Sequence, residues 1–279
     1  MLKQGMYTLT EINIYPIKSL GGISLKSSVV EDRGLKFDRR WMLVENASHR
    51  PVSLGLKNQF ITQRAYPQMA LLQVSVKENG LSIKQKSKDI SELFIPFNYD
   101  HKETRDVIIW DDIVQGSFYD NSIDEWFSEI LNVNCRLVYM SDLTFRKVNP
   151  ARVKNKIVSF ADGYPFLIIG QSSLDDLNSK LNKPLPMDRF RPNLVFTGGI
   201  PFEEDNWNSF KIGEVIFRAI KPCARCVITT IDQETAARDE EPLLTLSKYR
   251  KTDNKVLFGM NLVCETNGQV IVRDKIELL

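Results

Sequence analysis

Only four cysteines (Cys135, Cys223, Cys226 and Cys264) and two histidines (His49 and His101) occur among the 279 residues. So few sulfurs in so long a chain exclude a disulfide scaffold. A structural zinc site needs four ligands, and beyond Cys223 and Cys226 the candidates stand singly, without knuckle spacing. Net charge is nearly absent as well: 37 Lys and Arg face 35 Asp and Glu, a net of +2. No global field recruits nucleic acid or an anionic membrane, so any anion site must be local. No apolar run approaches the ~20 residues that span a bilayer, and the first thirty residues carry neither an apolar h-region nor an Arg-rich transit pattern. The chain reads as cytoplasmic. Repeats, low-complexity tracts and long linkers are missing too. What is present is a hydrophobic fraction of 43%, ample for the core of a folded enzyme.

Strand signals dominate the first hundred-odd residues. Tyr7 to Ile17 alternates in part, Trp41-Met-Leu-Val44 is a short apolar run, and Leu72, Val74 and Val76 alternate with polar neighbours. Asn79-Gly80 parts that run from Leu81 and Ile83 and signals a hairpin. Val107 to Trp110 and Ile113 to Phe118, separated by Asp111-Asp112, predict another. Ser122-x-x-Glu125 has the form of a capping box, followed by Ile123, Trp126, Phe127, Ile130 and Leu131 at helical spacing. We place the change of domain there, giving an N-terminal β domain over 1–120 and a second domain over 121–279. Arg146, Lys147, Arg152, Lys154 and Lys156 around Asn149-Pro150 read as a solvated basic loop. Ser172-x-x-Asp175 predicts a helix, Asn193 to Thr197 a strand, and Ile212-Gly-Glu-Val-Ile216 a strand, turn and strand. Glu241-Pro242 starts a short helix, and the tail reads as strand, Asn267-Gly268 turn, strand. The fold class is α+β, rich in β.

Cys223-Ala-Arg-Cys226 runs into Val227-Ile-Thr-Thr-Ile231, a β-branched stretch that predicts a strand for the second sulfur. Strand side chains alternate, so Cys223 and Cys226 are expected on opposite sides, with one thiolate acting alone. A dithiol redox pair normally sets its first cysteine at a helix N-terminus, which this stretch does not suit. Lys221 and Arg225 bring positive charge that favours thiolate, the form that attacks or ligates. The plain alternative is two buried structural cysteines.

Tyr15-Pro-Ile-Lys18-Ser19 and Phe37-Asp-Arg39-Arg40-Trp41 set three cations and a hydroxyl at strand ends. A point-charge ammonium and a forked guanidinium are what a phosphate requires. Asp188-Arg-Phe-Arg191-Pro-Asn193 has the makings of an anion clamp. Taken singly, each cluster could equally be solvated surface or a turn.

Their order is more specific. Tyr-Pro-x-Lys-Ser, Asp-Arg-x-Trp, Thr62-Gln-Arg64, Asp162-x-x-Pro-Phe-Leu, Leu174-x-Asp-Leu-Asn178, Phe190-Arg-Pro-Asn193, Cys-x-Arg-Cys and Leu-Phe-Gly259 follow one another along nearly the whole chain. This order resembles the MOSC family, and within it the two-part members, the YcbX-like and mitochondrial amidoxime-reducing component-like proteins. The resemblance implies a MOSC β-barrel domain with a smaller N-terminal β domain, and a molybdenum cofactor (Mo-molybdopterin) between them. It makes Cys226 the metal ligand, a soft donor suited to such a metal, and leaves Cys223 structural. It assigns Lys18, Ser19 and Arg39 to the cofactor's polar end, and Arg191 and Asn193 to further contacts. Gly163 and Tyr164 stand where a family member has small hydroxyl residues, Ala224 and Arg225 flank the ligand, and Asn261 takes a position held by tyrosine in the mitochondrial proteins. The family association extends to pyridoxal phosphate binding.

The implied activity is reduction of N-hydroxylated compounds: hydroxylamines, amidoximes and N-hydroxylated bases. Cys226 and Asp162 are the catalytic candidates, Asp162 as a proton relay or, on the bland reading, as a turn residue. Some bacterial relatives append a plant-type ferredoxin domain, whose Cys-x4-Cys-x2-Cys spacing this sequence lacks. The expected partner is therefore a separate electron donor, ferredoxin-type or cytochrome b5-type, with a flavin reductase; no nucleic acid or membrane is expected. Two rivals are sulfur transfer through a persulfide on Cys226 and a non-catalytic cofactor-binding module.

Overall fold

A computed structural model describes residues 7–46, 59–86 and 90–279; His49 lies outside them. The described residues are 42% strand and 16% helix, a β-rich α+β protein as the sequence predicts. It opens with β1 (Tyr7–Ile14), β2 (Ile23–Leu25), β3 (Ser27–Glu31), β4 (Gly34–Leu35) and β5 (Trp41–Glu45). There follow β6 (Leu72–Lys77), β7 (Gly80–Gln85), β8 (Leu93–Pro96), β9 (Glu103–Ile109), β10 (Asp112–Phe118), helix α1 (Asn121–Leu131) and β11 (Cys135–Tyr139). Next come β12 (Phe166–Gly170), helix α2 (Gln171–Asn178), β13 (Leu194–Thr197), β14 (Ser209–Ile212) and β15 (Val215–Ala224). The chain closes with helix α3 (Leu243–Ser247), β16 (Lys251–Thr252), β17 (Lys255–Cys264), β18 (Gly268–Ile271) and β19 (Lys275–Leu278).

Seven strands close a barrel in the order β12, β13, β1, β19, β14, β15 and β17, with β17 returning onto β12. Every neighbour is antiparallel except β12 and β13, which run parallel because α2 crosses between them. β1 reaches this ring from the N-terminal region, pairing with β13 and β19 and sending Leu9, Ile12 and Ile14 into the core beside Phe166, Phe196, Phe210 and Phe217.

The sheets β5-β11-β10-β9 and β6-β7-β8 form the other unit, with Trp41, Leu72, Leu81, Phe127 and Leu137 in one apolar cluster. Both predicted hairpins are present, Lys77 pairing with Gly80 and Ile109 with Asp112. α1 buries Ile123, Phe127 and Leu131 at fourfold spacing, and truncating a core Phe such as Phe127 costs ~3–5 kcal/mol. Its cap is Asp120 rather than Ser122. The Asp120 carboxylate accepts from Ser122 N and Ile123 N, and from the Ser122 hydroxyl at 2.6 Å, so the serine serves the aspartate. Because α1 packs on β8 and β11, residue 120 falls within this unit.

The tail runs as strand, break and strand, as expected, and the partner of its second strand is new. After β17, Glu265 N donates to Ile216 O and Ile216 N to Thr266 Oγ1, holding the chain along β15. β18 then pairs with β3 instead of folding back on β17, and Val270 joins Val30 in the barrel core.

Candidate functional site

One cavity gathers every candidate residue. Lys18, Ser19, Arg39, Asp162, Gly163, Tyr164, Arg191, Asn193, Ala224, Arg225, Cys226 and Asn261 all line it. Thr62, Arg64 and Cys223 join them.

The cation wall is assembled by backbone hydrogen bonds between two loops. Lys18 N donates to Trp41 O at 2.7 Å, Arg39 N to Tyr15 O at 3.0 Å, and Tyr15 N to Asp38 Oδ1 at 2.8 Å. These zip residues 15–18 to 38–41, which brings Lys18 and Arg39 to the same cavity. The Arg39 and Arg191 guanidinium carbons lie 4.5 and 4.1 Å from the centroid of the buried Tyr15 ring. Arg39 donates to Asp38 at 2.7 Å, Asn193 Oδ1 at 3.2 Å and Arg191 O at 3.3 Å; Arg191 donates to Leu20 O at 2.7 Å and Gln233 Oε1 at 3.3 Å. Burial pushes Arg191 down to about 10, whereas Asp38 more than offsets burial at Arg39 and raises it, so both stay cationic at neutral pH. Asn193 also accepts from Leu167 N and donates to Asn13 O, tying Arg39 to β1 and β12. Ser19, Arg39 and Arg191 have φ of 69°, 48° and 54°. Such left-handed backbone in non-glycine residues persists where the surroundings over-determine it, often at functional sites.

Asp162 projects into the cavity from an irregular loop, its side chain 60% exposed, and contacts Lys18 Nζ at 2.5 Å. Desolvation pushes its pKa up, but Lys18, then Arg64 and Arg39, prevail and hold it well below the usual carboxylate range. Burial moves Lys18 the other way, down to about 8, against the pull of Asp162. The loop itself hangs on Arg146, which is buried and not part of a solvated surface as the basic segment suggested. Its guanidinium donates to Ser159 O, Ala161 O and Asp162 O and pairs with Asp112 at 2.7 Å.

The sulfur wall corrects the expected strand. β15 ends at Ala224, and Val227–Thr230 form a 3-10 turn with Cys226 at its N-cap. The Thr229 and Thr230 hydroxyls donate to Cys226 O at 3.0 Å and Val227 O at 2.8 Å, local bonds that favour the tight turn over a strand. Cys223 and Cys226 consequently line one cavity rather than opposite faces. They remain unequal. Cys223 Sγ accepts from Arg225 Nη1 at 3.1 Å, while Cys226 is exposed and its thiol has no hydrogen-bond partner among the described residues. Asn261, across from Lys221 on β17, donates to Lys221 O at 3.3 Å.

Three more groups bear on the cavity. Arg64 lies 4.4 Å over Trp110, whose indole donates to Asp162 at 3.3 Å, and Arg64 Nη2 stands 3.9 Å from Asp162. Arg64 was legible in the Thr62-Gln-Arg64 motif; Trp110 and Arg146 carry no local signal. Arg64 Nε, Tyr164 Oη and Arg225 Nε are buried without partners among the described residues, and such orphaned donors suit an oxygen-rich anionic group. No cluster of three or more His, Cys, Asp or Glu exists among the described residues. A metal at Cys226 would take most of its coordination from outside the described residues.

Barrel and cavity together define a class: a two-part β protein that presents one open thiol to a cation-lined cleft. The chain belongs to the MOSC family, residues 155–277 matching the MOSC domain and residues 6–134 the MOSC N-terminal beta barrel domain. It is 32% identical to mitochondrial amidoxime reducing component 2 of Rattus norvegicus, over 98% of this chain and 83% of that protein. The Homo sapiens protein of the same name is 30% identical, over 98% of this chain and 84% of that one. Molybdenum cofactor sulfurase of Oryza sativa subsp. japonica is 31% identical over 91% of this chain, which spans 32% of that protein.

Proposed function

We propose that this chain is a molybdenum-cofactor-dependent reductase of N-hydroxylated compounds, taking electrons from a separate ferredoxin-type or cytochrome b5-type donor served by a flavin reductase. The observation that carries the reading is the unpartnered Cys226 thiol in the same cavity as Lys18, Arg39 and Arg191. Similarity to amidoxime-reducing components over nearly the whole chain supports it.

Cys226 would ligate the metal as thiolate, and Lys18, Ser19, Arg39 and Arg191 would hold the pterin phosphate. When bound, the cofactor supplies the two-electron removal of oxygen from substrate nitrogen. Backbone and side-chain groups of the 162–164 and 224–225 segments line the space beside it. Asp162, held ionised, keeps Lys18 Nζ in place, and Lys18, which titrates near 8, is the better-matched proton donor. The aspartate thus acts as a positioning residue instead of the relay. No described helix is long and apolar enough to cross a membrane.

The sulfurase similarity favours one second reading, a persulfide carried on Cys226. Metal analysis of protein from a host that makes the cofactor separates the two. Stoichiometric molybdenum, together with amidoxime reduction driven by dithionite but not by NADH alone, is expected. A molybdenum-free Cys226 persulfide would transfer the assignment to the second reading, bound cofactor without turnover would leave a binding module, and direct NADH activity would remove the separate donor.

A further inference from the structure

The 3-10 turn Met187–Phe190 stands between two cavities. Phe190 and Arg191 line the cleft described above, whereas Arg189 lines another that shares no residue with it. This second cavity, about 550 Å³, is bounded by residues 180–186, by α3 and by Asp232, Asp239 and Glu241. Its size is that of a small-molecule pocket.

The hydrogen-bonding inventory of its lining is one-sided. Arg189 is 5% exposed and engages Asp232 Oδ2 through Nη2 at 2.9 Å, while its Nε and Nη1 have no partner among the described residues. Asp232 and Glu241 are engaged at both oxygens, while the exposed Asp239 accepts through Oδ1 alone. Asp232 Oδ1 accepts from Glu234 N, Thr235 N and Thr235 Oγ1; Glu241 from Thr245 N and Oγ1; Asp239 Oδ1 from Glu240 N at 2.6 Å. Lys180 is held by Asp176. Two nitrogens of a buried guanidinium, with Lys183 and Lys248 at the rim, remain as donors without acceptors among the described residues. Leu181, Leu185 and Leu244 supply apolar wall. Water satisfies the exposed groups, Asp239 among them, but the buried unpartnered atoms of this lining are guanidinium donors alone, and these select an anion.

We propose that this cavity is a second ligand site, for a small organic anion whose carboxylate or phosphate meets Arg189 and whose apolar part lies on the three leucines. The site is independent of the function proposed above. Equilibrium dialysis of the purified chain against inorganic phosphate and against butyrate tests it, and the probe that saturates identifies the head group. The expected result is one bound equivalent that survives Lys18→Ala, in addition to any phosphate held by the first cleft, which that variant weakens. Lys183→Ala/Lys248→Ala should weaken it at least about tenfold and Arg189→Gln about a hundredfold. If Arg189→Gln fails to fold, judged by circular dichroism, the lysine pair decides alone. Binding that vanishes in Lys18→Ala, that ignores the lysine pair, or that is absent for both probes overturns the proposal.

Discussion

Lys18, Arg39 and Arg191 each engage two or more partners, whereas on the sulfur wall Cys226 engages none among the described residues and Cys223 meets only its near neighbours Arg225 and Ala224 O among them. Fixed cations recognise a charged group without reorganising, so their preorganisation serves binding. An unengaged sulfur keeps its lone pairs for a bond to something else. The difference between the walls separates holding from chemistry, and it can be attacked from either side.

The largest effect is expected at the open sulfur. Cys226→Ala should lose molybdenum and turnover beyond the ~100-fold typical of changes around a ligand, with stability within ~0.5 kcal/mol because the side chain is exposed. Cys223→Ala should retain the metal. Equal loss of metal in both variants, read by elemental analysis, would erase the distinction between the sulfurs. On the opposite wall the cost should fall on folding: Arg39→Met strands the fully buried Asp38 carboxylate, and urea midpoints should register ~3–5 kcal/mol. A smaller loss would mean that the cation wall is less tightly determined than its contacts indicate.

A more moderate effect comes from pH. Folded Lys18 gives up its proton near pH 8 and an unfolded lysine near 10.5. Between those values the unfolded chain binds more protons, so this group's contribution to stability rises with pH. Relative to Lys18→Met, wild-type urea midpoints should therefore gain from pH 8 towards 10.5. Phosphate affinity in the cleft should run the opposite way, falling above about pH 8 as Lys18 becomes neutral, and Lys18→Arg should delay that fall. A wild-type affinity flat to pH 10 would show that Lys18 does not carry the binding. The smallest change is expected for Gly163→Ser, since a Cβ there meets nothing within 4 Å. Stability should stay within ~0.5 kcal/mol, and a loss larger than that would reveal a contact absent from the free cleft.

Local patterns made the hairpins at Asn79-Gly80 and Asp111-Asp112 legible, because turn chemistry and alternation are properties of neighbouring residues. The cavity residues were legible through motif order, which spans the chain. Fates decided by distant contacts were not. Arg146 looks like any cation of a basic loop until four acceptors from residues 112 and 159–162 surround it. Val227 to Thr230 has strand composition, yet two threonine hydroxyls turn it. Asn267-Gly268 signals a turn, but not that the following strand belongs to β3.

β1 carries a consequence for how the molecule is made. Residues 7–14 leave the ribosome long before one of their two barrel neighbours, β19 (Lys275–Leu278). At ~5–20 residues per second of synthesis, this apolar strand waits tens of seconds with an open edge. The loop behind it carries Lys18 and Ser19, so the cleft is completed only when the last staves of the barrel are in place. Loading of any ligand there then follows the synthesis of β19, and until that point the strand presents an open edge of the kind other chains can pair with.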